Sequence, residues 1–472
     1  MSTNEPRRAL ALDALRGFAI LTMILSSRIP YGVLPGWMYH VQVPPPIHKF
    51  NAFIPGISWV DLVFPFFLFS MGAAFPFALT RRLNDGSSKV KVIWQIIYRG
   101  LLLMFFALAI QHMRPHVIDP AQPTSVMLLA ILMFVFTVLF FLRYPENISK
   151  KLSMSLKGVG LIGLILFLFL IRFPDGSGFS FRKYDIIILV LSNVAIVGSL
   201  IWFYTPNNIS LRLAIMAFIV GIRLSNTVEG SWIQSISSQY PGYLLFQLNF
   251  LKYLLIVIPG TIAGDIILSW MKKPVAENEN PGINKCGHWL IVVSMLSLIV
   301  VSLVGLYTRL VGWTMIVSIV LGLYSIYILR DSKNSFEKMI RLLFHWGFIW
   351  IILGLLFEPF EGGIKKDHST LSYYFLTSGL AIALMIAFFI LDNALSLRKS
   401  IQVLIDNGQN PMLAYVAGTN LLTPVVTVTY LDKFLQSLFI GPWPGVIKGI
   451  IVTGLLAMAV SFFTKKKLFL RT

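Results

Sequence analysis

The sequence has 472 residues, of which 56% are hydrophobic and only 12% are charged. Soluble domains carry about 25% charged residues, so this composition excludes a soluble protein and predicts a single membrane domain over residues 1–472. The net charge of +19 does not indicate nucleic-acid binding, because basic residues also collect in the cytoplasmic loops of membrane proteins.

Apolar runs follow one another along the chain, at residues 11–29, 57–79, 93–112, 122–142, 155–172, 186–204, 209–225, 245–270, 287–307, 311–329, 338–357, 373–391, 409–427 and 446–463. A helix needs ~20 residues to cross a bilayer, so most of these runs predict full spans. The runs at 155–172 and 209–225 are short enough to be re-entrant or interfacial. We therefore predict an all-α, polytopic integral membrane helix bundle with about 12–14 transmembrane helices.

Lys and Arg are distributed unevenly between the segments that connect these spans. With the N-terminus inside, the inner segments hold roughly twice as many as the outer ones, which is the bias expected of cytoplasmic loops. Both termini are therefore predicted to be cytoplasmic. Residues 30–56 then form an outer loop rich in Pro, Gly and aromatic residues, a composition that favours an ordered and functional segment.

Three charged residues of the first two apolar runs are candidates for function. Asp13 and Arg16 are three residues apart near the inner end of the first run, on one helical face where they can pair. Asp61 lies near the outer end of the second run. Ionisable groups inside a membrane are costly and often functional, although an interfacial ion pair and a helix cap would also explain these three residues.

His40 and His48 are the histidines of the outer loop, on either side of three consecutive prolines. No further His, Asp or Glu stands near them in sequence, and Cys286 is the single cysteine, so no metal site is predicted. Either imidazole could act as a general base or as an acyl acceptor. A loop histidine that only forms hydrogen bonds is the alternative.

The N-terminal residues resemble the heparan-α-glucosaminide N-acetyltransferase family, and more closely its bacterial relatives. The resemblance rests on Leu12–Gly17, on the outer histidine loop, on Gly56 followed by Asp61–Phe69, and on Met71-Gly72. Two weaker matches follow, one at Ile364–Lys366 with Thr370 and Ser372-Tyr373, and one at Gly408–Met412 with Tyr415. The resemblance implies a bacterial inner-membrane protein.

The resemblance also implies a reaction and a set of site residues. Family members use cytosolic acetyl-CoA to acetylate a sugar amine across the membrane, and a histidine of the first outer loop is the key catalytic group. Transferred to this chain, that group is His48, with His40 as the second candidate. Asp61 would orient the imidazole and Asn410 would stabilise the oxyanion. Acetyl-CoA would be bound with help from Asp13, Arg16, Lys366 and Tyr415.

The sequence thus predicts a membrane acyltransferase that moves an acetyl or acyl group from cytosolic acyl-CoA to an amine or hydroxyl of a saccharide or glycolipid. Membrane lipid is the other expected partner, a homodimer is possible, and neither nucleic acid nor metal is expected. The alternative is a multi-span carrier or flippase for a lipid-linked or anionic solute. A non-catalytic scaffold is the third interpretation. A carrier should tolerate His48→Ala, whereas an acyltransferase that uses this histidine should lose turnover.

Overall fold

The computed structural model describes residues 9–239, 245–273, 282–438 and 442–472. The described chain is almost entirely helical: α1 (Leu10–Ser26), α2 (Trp59–Asn84), α3 (Lys89–His112), α4 (Pro115–Ile118), α5 (Thr124–Phe141), α6 (Lys150–Leu170), α7 (Ile186–Tyr204), α8 (Ile209–Asn226), α9 (Trp232–Gln239), α10 (Leu254–Met271), α11 (Lys285–Tyr307), α12 (Val311–Leu329), α13 (Ser335–Leu356), α14 (Leu371–Phe389), α15 (Arg398–Gln409), α16 (Pro411–Ala417), α17 (Thr423–Val428), α18 (Leu431–Leu438) and α19 (Pro442–Lys465). Short 3₁₀ turns occur at Gly36–Met38, Leu248–Tyr253 and Phe360–Gly362, and π-helical turns at Ile390–Ala394 and Gly418–Leu422. Two short strands, β1 (Leu142–Arg143) and β2 (Phe469–Leu470), pair antiparallel.

Within the described residues, 13 helical segments are long and apolar enough to cross a membrane, which confirms the predicted polytopic helix bundle. The two runs predicted as candidates for re-entrant segments belong to α6 and α8, and both of these helices are among the 13 segments. In contrast, α1 has 17 residues, fewer than the ~20 that a span usually needs. The cytoplasmic location of the termini stays a prediction.

The centre of the bundle is α14, every residue of which is buried. It packs against α13, α11, α1, α2 and α10. A helix that is apolar on all sides must be surrounded by other helices or by lipid, and α14 is surrounded by other helices. Most of the buried hydrophobic residues from α1 to β2 form one contiguous cluster around it, and a smaller cluster of α2, α3 and α7 residues lies apart from it.

Two close helix contacts bring the beginning and the end of the chain together. A Cβ atom on Gly17 of α1 would lie 1.9 Å from the carbonyl oxygen of Leu404, and one on Gly408 of α15 would lie 1.7 Å from that of Asp13. Only glycine allows two helix backbones to approach this closely. The first resemblance motif and the late one are therefore neighbours in space.

The first two helices run in opposite directions, since Met23 and Ser26 of α1 line the same cavities as Val63 and Val60 of α2, and they define two faces of the bundle. We call the side where α1 ends and α2 begins the first face, and the side where α1 begins and α2 ends the second face. The first face carries the loop between α1 and α2 and the loop between α13 and α14, which contact each other. By the Lys and Arg distribution, the first face is the predicted outer side.

Candidate active site

The two loops of the first face are fastened together by backbone and side-chain hydrogen bonds. The Gly56 amide donates to the carbonyl oxygen of Ile364 over 2.7 Å. The amide of Gln42 pairs with the backbone of Asp367: its Oε1 accepts from the Asp367 N–H over 3.0 Å, and its Nε2 donates to the Asp367 carbonyl oxygen. These bonds place residues of the second loop beside the first-loop histidines.

Asp61 lies at the start of α2 and is 1% exposed. Its Oδ2 accepts hydrogen bonds from the backbone N–H of Ser58 at 3.0 Å and from the Ser58 hydroxyl at 2.9 Å. Its Oδ1 lies 3.1 Å from His40 Nδ1 and 3.8 Å from Lys366 Nζ. Asp61 therefore combines the two roles that were predicted as alternatives. Its Oδ2 caps helix α2, and its Oδ1 faces an imidazole and an ammonium group.

His40 faces this carboxylate. The backbone N–H of Gln42 donates to Nδ1 over 3.3 Å, and Oδ1 of Asp61 lies close to Nδ1 without accepting a hydrogen bond from it. A proton on Nδ1 would face Asp61 and would leave Nε2 with its lone pair. That nitrogen lies 3.7 Å from Asp367 Oδ2. The arrangement is a histidine held by a buried carboxylate, as general bases are in hydrolytic triads.

His48 occupies a different environment within the same loop. Its ring stacks on Tyr31 at a centroid distance of 4.3 Å and meets the edge of Tyr39 at 5.3 Å. Its Nδ1 lies 3.2 Å from the carbonyl oxygen of Val43. Asp61 therefore lies against His40 and not against His48, which packs inside the loop.

Two cavities approach the His40–Asp61 pair. The small cavity, of about 210 Å³, lies on the first face and is lined by His40 together with Tyr31, Tyr39 and Trp59. The large cavity, of about 460 Å³, extends through the bundle between α1, α2, α3, α7 and α16. Its lining includes Val63 and Arg82 of α2, which are 19 residues apart, or roughly 28 Å at 1.5 Å per helical residue. The large cavity therefore covers most of a bilayer's thickness.

The linings of the two cavities come within one helical turn of each other. On α1, Met23 lines the large cavity and Ser26 the small one. On α2, Val63 lines the large cavity and Val60 the small one. Asp61 lies in the chain between these last two residues. The His40–Asp61 pair thus lies at the thin partition between the two cavities.

Basic residues line the end of the large cavity toward the second face, namely Arg82, Arg99 and Arg471. Asp13 and Arg16 line its middle, and their side chains lie 3.4 Å apart. Arg16 also donates to the carbonyl oxygens of Gly408 and Ser70 over 3.1 and 3.3 Å. Arg82 and Arg471 were not predicted as site residues because each resembles an ordinary basic residue of a cytoplasmic loop or helix end. Arg99 lies inside the apolar run 93–112 and could have been singled out as a charge within a span.

The remaining predicted site residues are dispersed. Tyr415 lines the large cavity, and its hydroxyl donates to Asp185 over 2.7 Å beside Arg114. Lys366 lies at the first face next to Asp61 and does not line the large cavity. Asn410 lies near the second face, where it donates to the carbonyl oxygen of Leu468 and accepts from the Leu470 N–H, at 2.8 and 3.0 Å. Asn410 thus fixes the C-terminal strand and lies away from His40.

Fold and site together define a polytopic α-helical membrane protein with a half-buried histidine beside a buried carboxylate between two cavities. Comparison with protein families assigns residues 8–267, more than half of the chain, to the family described as "Domain of unknown function (DUF5009)". The chain belongs to this family. The predicted resemblance to N-acetyltransferases is a separate finding, because it rests on matches to individual proteins and not on this family.

Two curated proteins match a shorter part of the chain. Heparan-alpha-glucosaminide N-acetyltransferase of Homo sapiens is 30% identical over 105 residues, which are 22% of this chain and 14% of that protein. The protein of the same name from Mus musculus is 30% identical over 101 residues, 21% of this chain and 13% of that protein. The match thus spans about a seventh of the length of these relatives. It supports a distant relationship to them.

Proposed function

We propose that this chain is a membrane acyltransferase that moves an acyl group, most simply acetyl, from acyl-CoA to an amine or hydroxyl of a saccharide or glycolipid. The observation that carries the proposal is the position of the His40–Asp61 pair at the partition between the two cavities. The distant relationship to proteins named N-acetyltransferases supports the same class of reaction.

The large cavity suits the acyl donor. Acyl-CoA combines a phosphate-bearing end with a long, uncharged arm that ends in the thioester. Arg82, Arg99 and Arg471 line the end of the cavity toward the second face and would attract the phosphates. The apolar lining between them and Val63, which includes Phe67, would accept the arm and bring the thioester toward the partition.

The small cavity suits the acceptor. Aromatic rings such as Tyr31, Tyr39 and Trp59 offer the flat apolar surfaces on which sugar rings pack, and His40 supplies the chemistry. His40 Nε2 would remove a proton from the acceptor as it attacks the thioester carbonyl. Asp61 would stabilise the imidazolium that forms, because its Oδ1 lies 3.1 Å from Nδ1.

The test is acyl transfer in sealed membrane vesicles with radiolabelled acetyl-CoA on the side of the second face and a panel of amino sugars on the other. Wild type is compared with His40→Ala and with His48→Ala as the matched variant of the same loop. Label on a sugar, lost in His40→Ala and kept in His48→Ala, supports the proposal. Folded wild-type protein that labels neither a sugar nor itself contradicts it.

The second candidate is a carrier or flippase for a lipid-linked or anionic solute. It is favoured by one observation, the pair of cavities whose linings are separated by a single turn of α1 and α2, since alternating access requires a thin barrier between two half-paths. A carrier would move a solute across the vesicle membrane without chemical change. Transport that persists in His40→Ala, without acyl transfer by wild type, would favour this function.

A further inference from the structure

Four large apolar side chains are exposed in the loop that carries His40, and the proposed reaction does not use them. Tyr31, Ile47, Phe50 and Phe53 are exposed by 63, 72, 59 and 84%. We call these four residues the apolar rim. Exposed apolar side chains that gather in one place commonly mark a surface that binds an apolar partner. The rim therefore predicts an occupant that offers apolar area.

The apolar rim adjoins the small cavity. Tyr31 is itself one of the residues that line this cavity. The ring of Phe50 meets the ring of His40 edge-on at a centroid distance of 6.5 Å, and His40 also lines the cavity. Ile47 directly precedes His48, whose ring stacks on Tyr31. A molecule whose reacting group reaches His40 in the small cavity can therefore place its remaining part on the rim.

The small cavity itself offers few polar groups to the hydroxyls of a sugar. Most of its donors are used within the protein, because backbone carbonyl oxygens accept from the side chains of Ser26, Ser27, Tyr39 and Trp59. Among the described residues that line the cavity, only His40 and Tyr31 have polar side chains that do not donate in this way. A sugar that leaves water for this cavity thus loses hydrogen bonds that the lining does not replace. An apolar part of the acceptor has to supply most of the binding free energy.

The loop with the apolar rim is packed on the end of a long apolar helix. Helix α11 (Lys285–Tyr307) is long and apolar enough to cross a membrane. A Cβ atom on Gly36 would lie 2.2 Å from the hydroxyl oxygen of Tyr307 and 3.4 Å from Cγ of Pro45, which is two residues before Ile47. Because a span ends at the level of the lipid headgroups, this loop lies where the lipid chains begin. The rim thus continues the lipid-facing surface of the bundle, and a lipid chain is its nearest apolar partner.

We infer that the acceptor is a lipid-linked saccharide, whose chain lies on the apolar rim while its sugar enters the small cavity. The inference rests on the proposed acyl transfer and narrows its acceptor to the glycolipid class. The chain supplies the apolar area that the sugar lacks, and its anchoring in the leaflet holds the sugar at the level of His40. No bond is made or broken at the rim, so its residues position the acceptor and take no part in the chemistry.

The test is photolabelling of the full-length protein in phosphatidylcholine nanodiscs without any acyl donor. Three probes share a dodecyl chain that carries a diazirine near its head, and the heads are glucose, glucosamine and phosphocholine. Labelled positions are identified by mass spectrometry of peptides. We expect the better of the two sugar-headed probes to label residues 44–53 about fivefold or more above the phosphocholine-headed probe. An excess of the unreactive dodecyl glycoside should displace it, whereas the methyl glycoside of the same sugar should not.

The double variant Phe50→Ser, Phe53→Ser removes two rings of the apolar rim and leaves His40 in place. It should reduce labelling of residues 44–49 by about tenfold. Phe181→Ser is the matched control, since this ring is 57% exposed in the loop between α6 and α7, and it should leave the labelling unchanged. Should the double variant not fold, Ile47→Ser is expected to reduce labelling of residues 49–53 by about threefold.

Three results would overturn the inference: equal labelling of the loop by all probes, which indicates contact with the bilayer alone; no labelling of the loop by any probe; and wild-type labelling of the folded rim variants. These results are distinct from failure of the proposed function, because the probes bind without an acyl donor. Sugar-dependent labelling of a protein that transfers no acyl group would retain the lipid-linked ligand and lose the enzyme assignment. Equal transfer to free and to lipid-linked sugars would retain the enzyme assignment and lose the role of the rim.

Discussion

Replacement of Asp61 by Asn tests the proposed catalytic pair most directly, because the change removes a charge and keeps the shape. The Oδ2 position receives two hydrogen bonds from Ser58, so the carbonyl oxygen of the new amide must stay there. Its NH₂ group then occupies the Oδ1 position, 3.1 Å from His40 Nδ1. A donor at this place forces Nδ1 to accept, which moves the imidazole proton to Nε2 and removes the base.

The size of the effect follows from these contacts. Loss of one charge-assisted hydrogen bond to the imidazolium costs about 1.5–3 kcal/mol, or roughly 10- to 150-fold in rate. The reversed tautomer extends the loss to about 10⁴-fold, the size seen when the triad carboxylate of a protease is changed in the same way. We therefore expect Asp61→Asn to reduce acetyl transfer in vesicles by about 10²- to 10⁴-fold.

The stability of the variant should change little, because the bonds to Ser58 remain. Thermal unfolding in detergent is the measurement that separates loss of chemistry from loss of fold. Asp175→Asn, an exposed carboxylate of the same face, is the control and should keep wild-type turnover. Folded Asp61→Asn with turnover within about threefold of wild type would refute the assignment of Asp61 as the partner of the base.

Three further outcomes are expected. His48→Phe keeps a stacking ring and should retain turnover within about threefold, whereas an equal loss in His48→Phe and His40→Phe would give His48 a catalytic role. Gly408→Ala places a methyl group 1.7 Å from a backbone oxygen of α1 and should lower the free energy of unfolding by about 1–3 kcal/mol or more. The control Gly221→Ala, with open space around it, should stabilise by up to about 1 kcal/mol. Arg99→Gln should raise KM for acetyl-CoA and reduce its salt dependence without changing kcat, and an unchanged KM would remove Arg99 from the donor site.

The number of helices could be predicted from hydropathy, because backbone groups inside a bilayer must be hydrogen-bonded within each segment. The two doubtful runs show where this argument weakens. Helix α6 begins at Lys150, before the apolar run, since lysine side chains can extend toward the interface. Helix α8 contains Arg212 and Arg223, which pair with Asp265 and Glu361. Their charges lower the apparent hydropathy of a helix that is nevertheless long and apolar enough to cross a membrane.

The candidate site was less predictable, because its members come from loops and helix ends that are far apart in sequence. Asp61 could be singled out because a charge inside an apolar run is rare. Asp367 and Gln42 could not, since acidic and amide residues are common in loops and nothing in sequence indicates that these two will bond to each other. Tyr415 was found through its motif, and its position in the large cavity depends on the break before α16.

The choice between the two loop histidines depends on the burial of Asp61. A carboxylate that is 1% exposed needs a charged or hydrogen-bonding partner, because leaving it unpaired would cost several kcal/mol. Order along the chain favours His48, which is nearer to Asp61, but its ring is stacked on Tyr31. His40 instead reaches Oδ1, together with Lys366 from the second loop. Folding of the two loops thus brings an imidazole and an ammonium group to 3.1 and 3.8 Å from the buried Oδ1, and Asp61 faces Nδ1 of His40 while Asp367 lies beside Nε2.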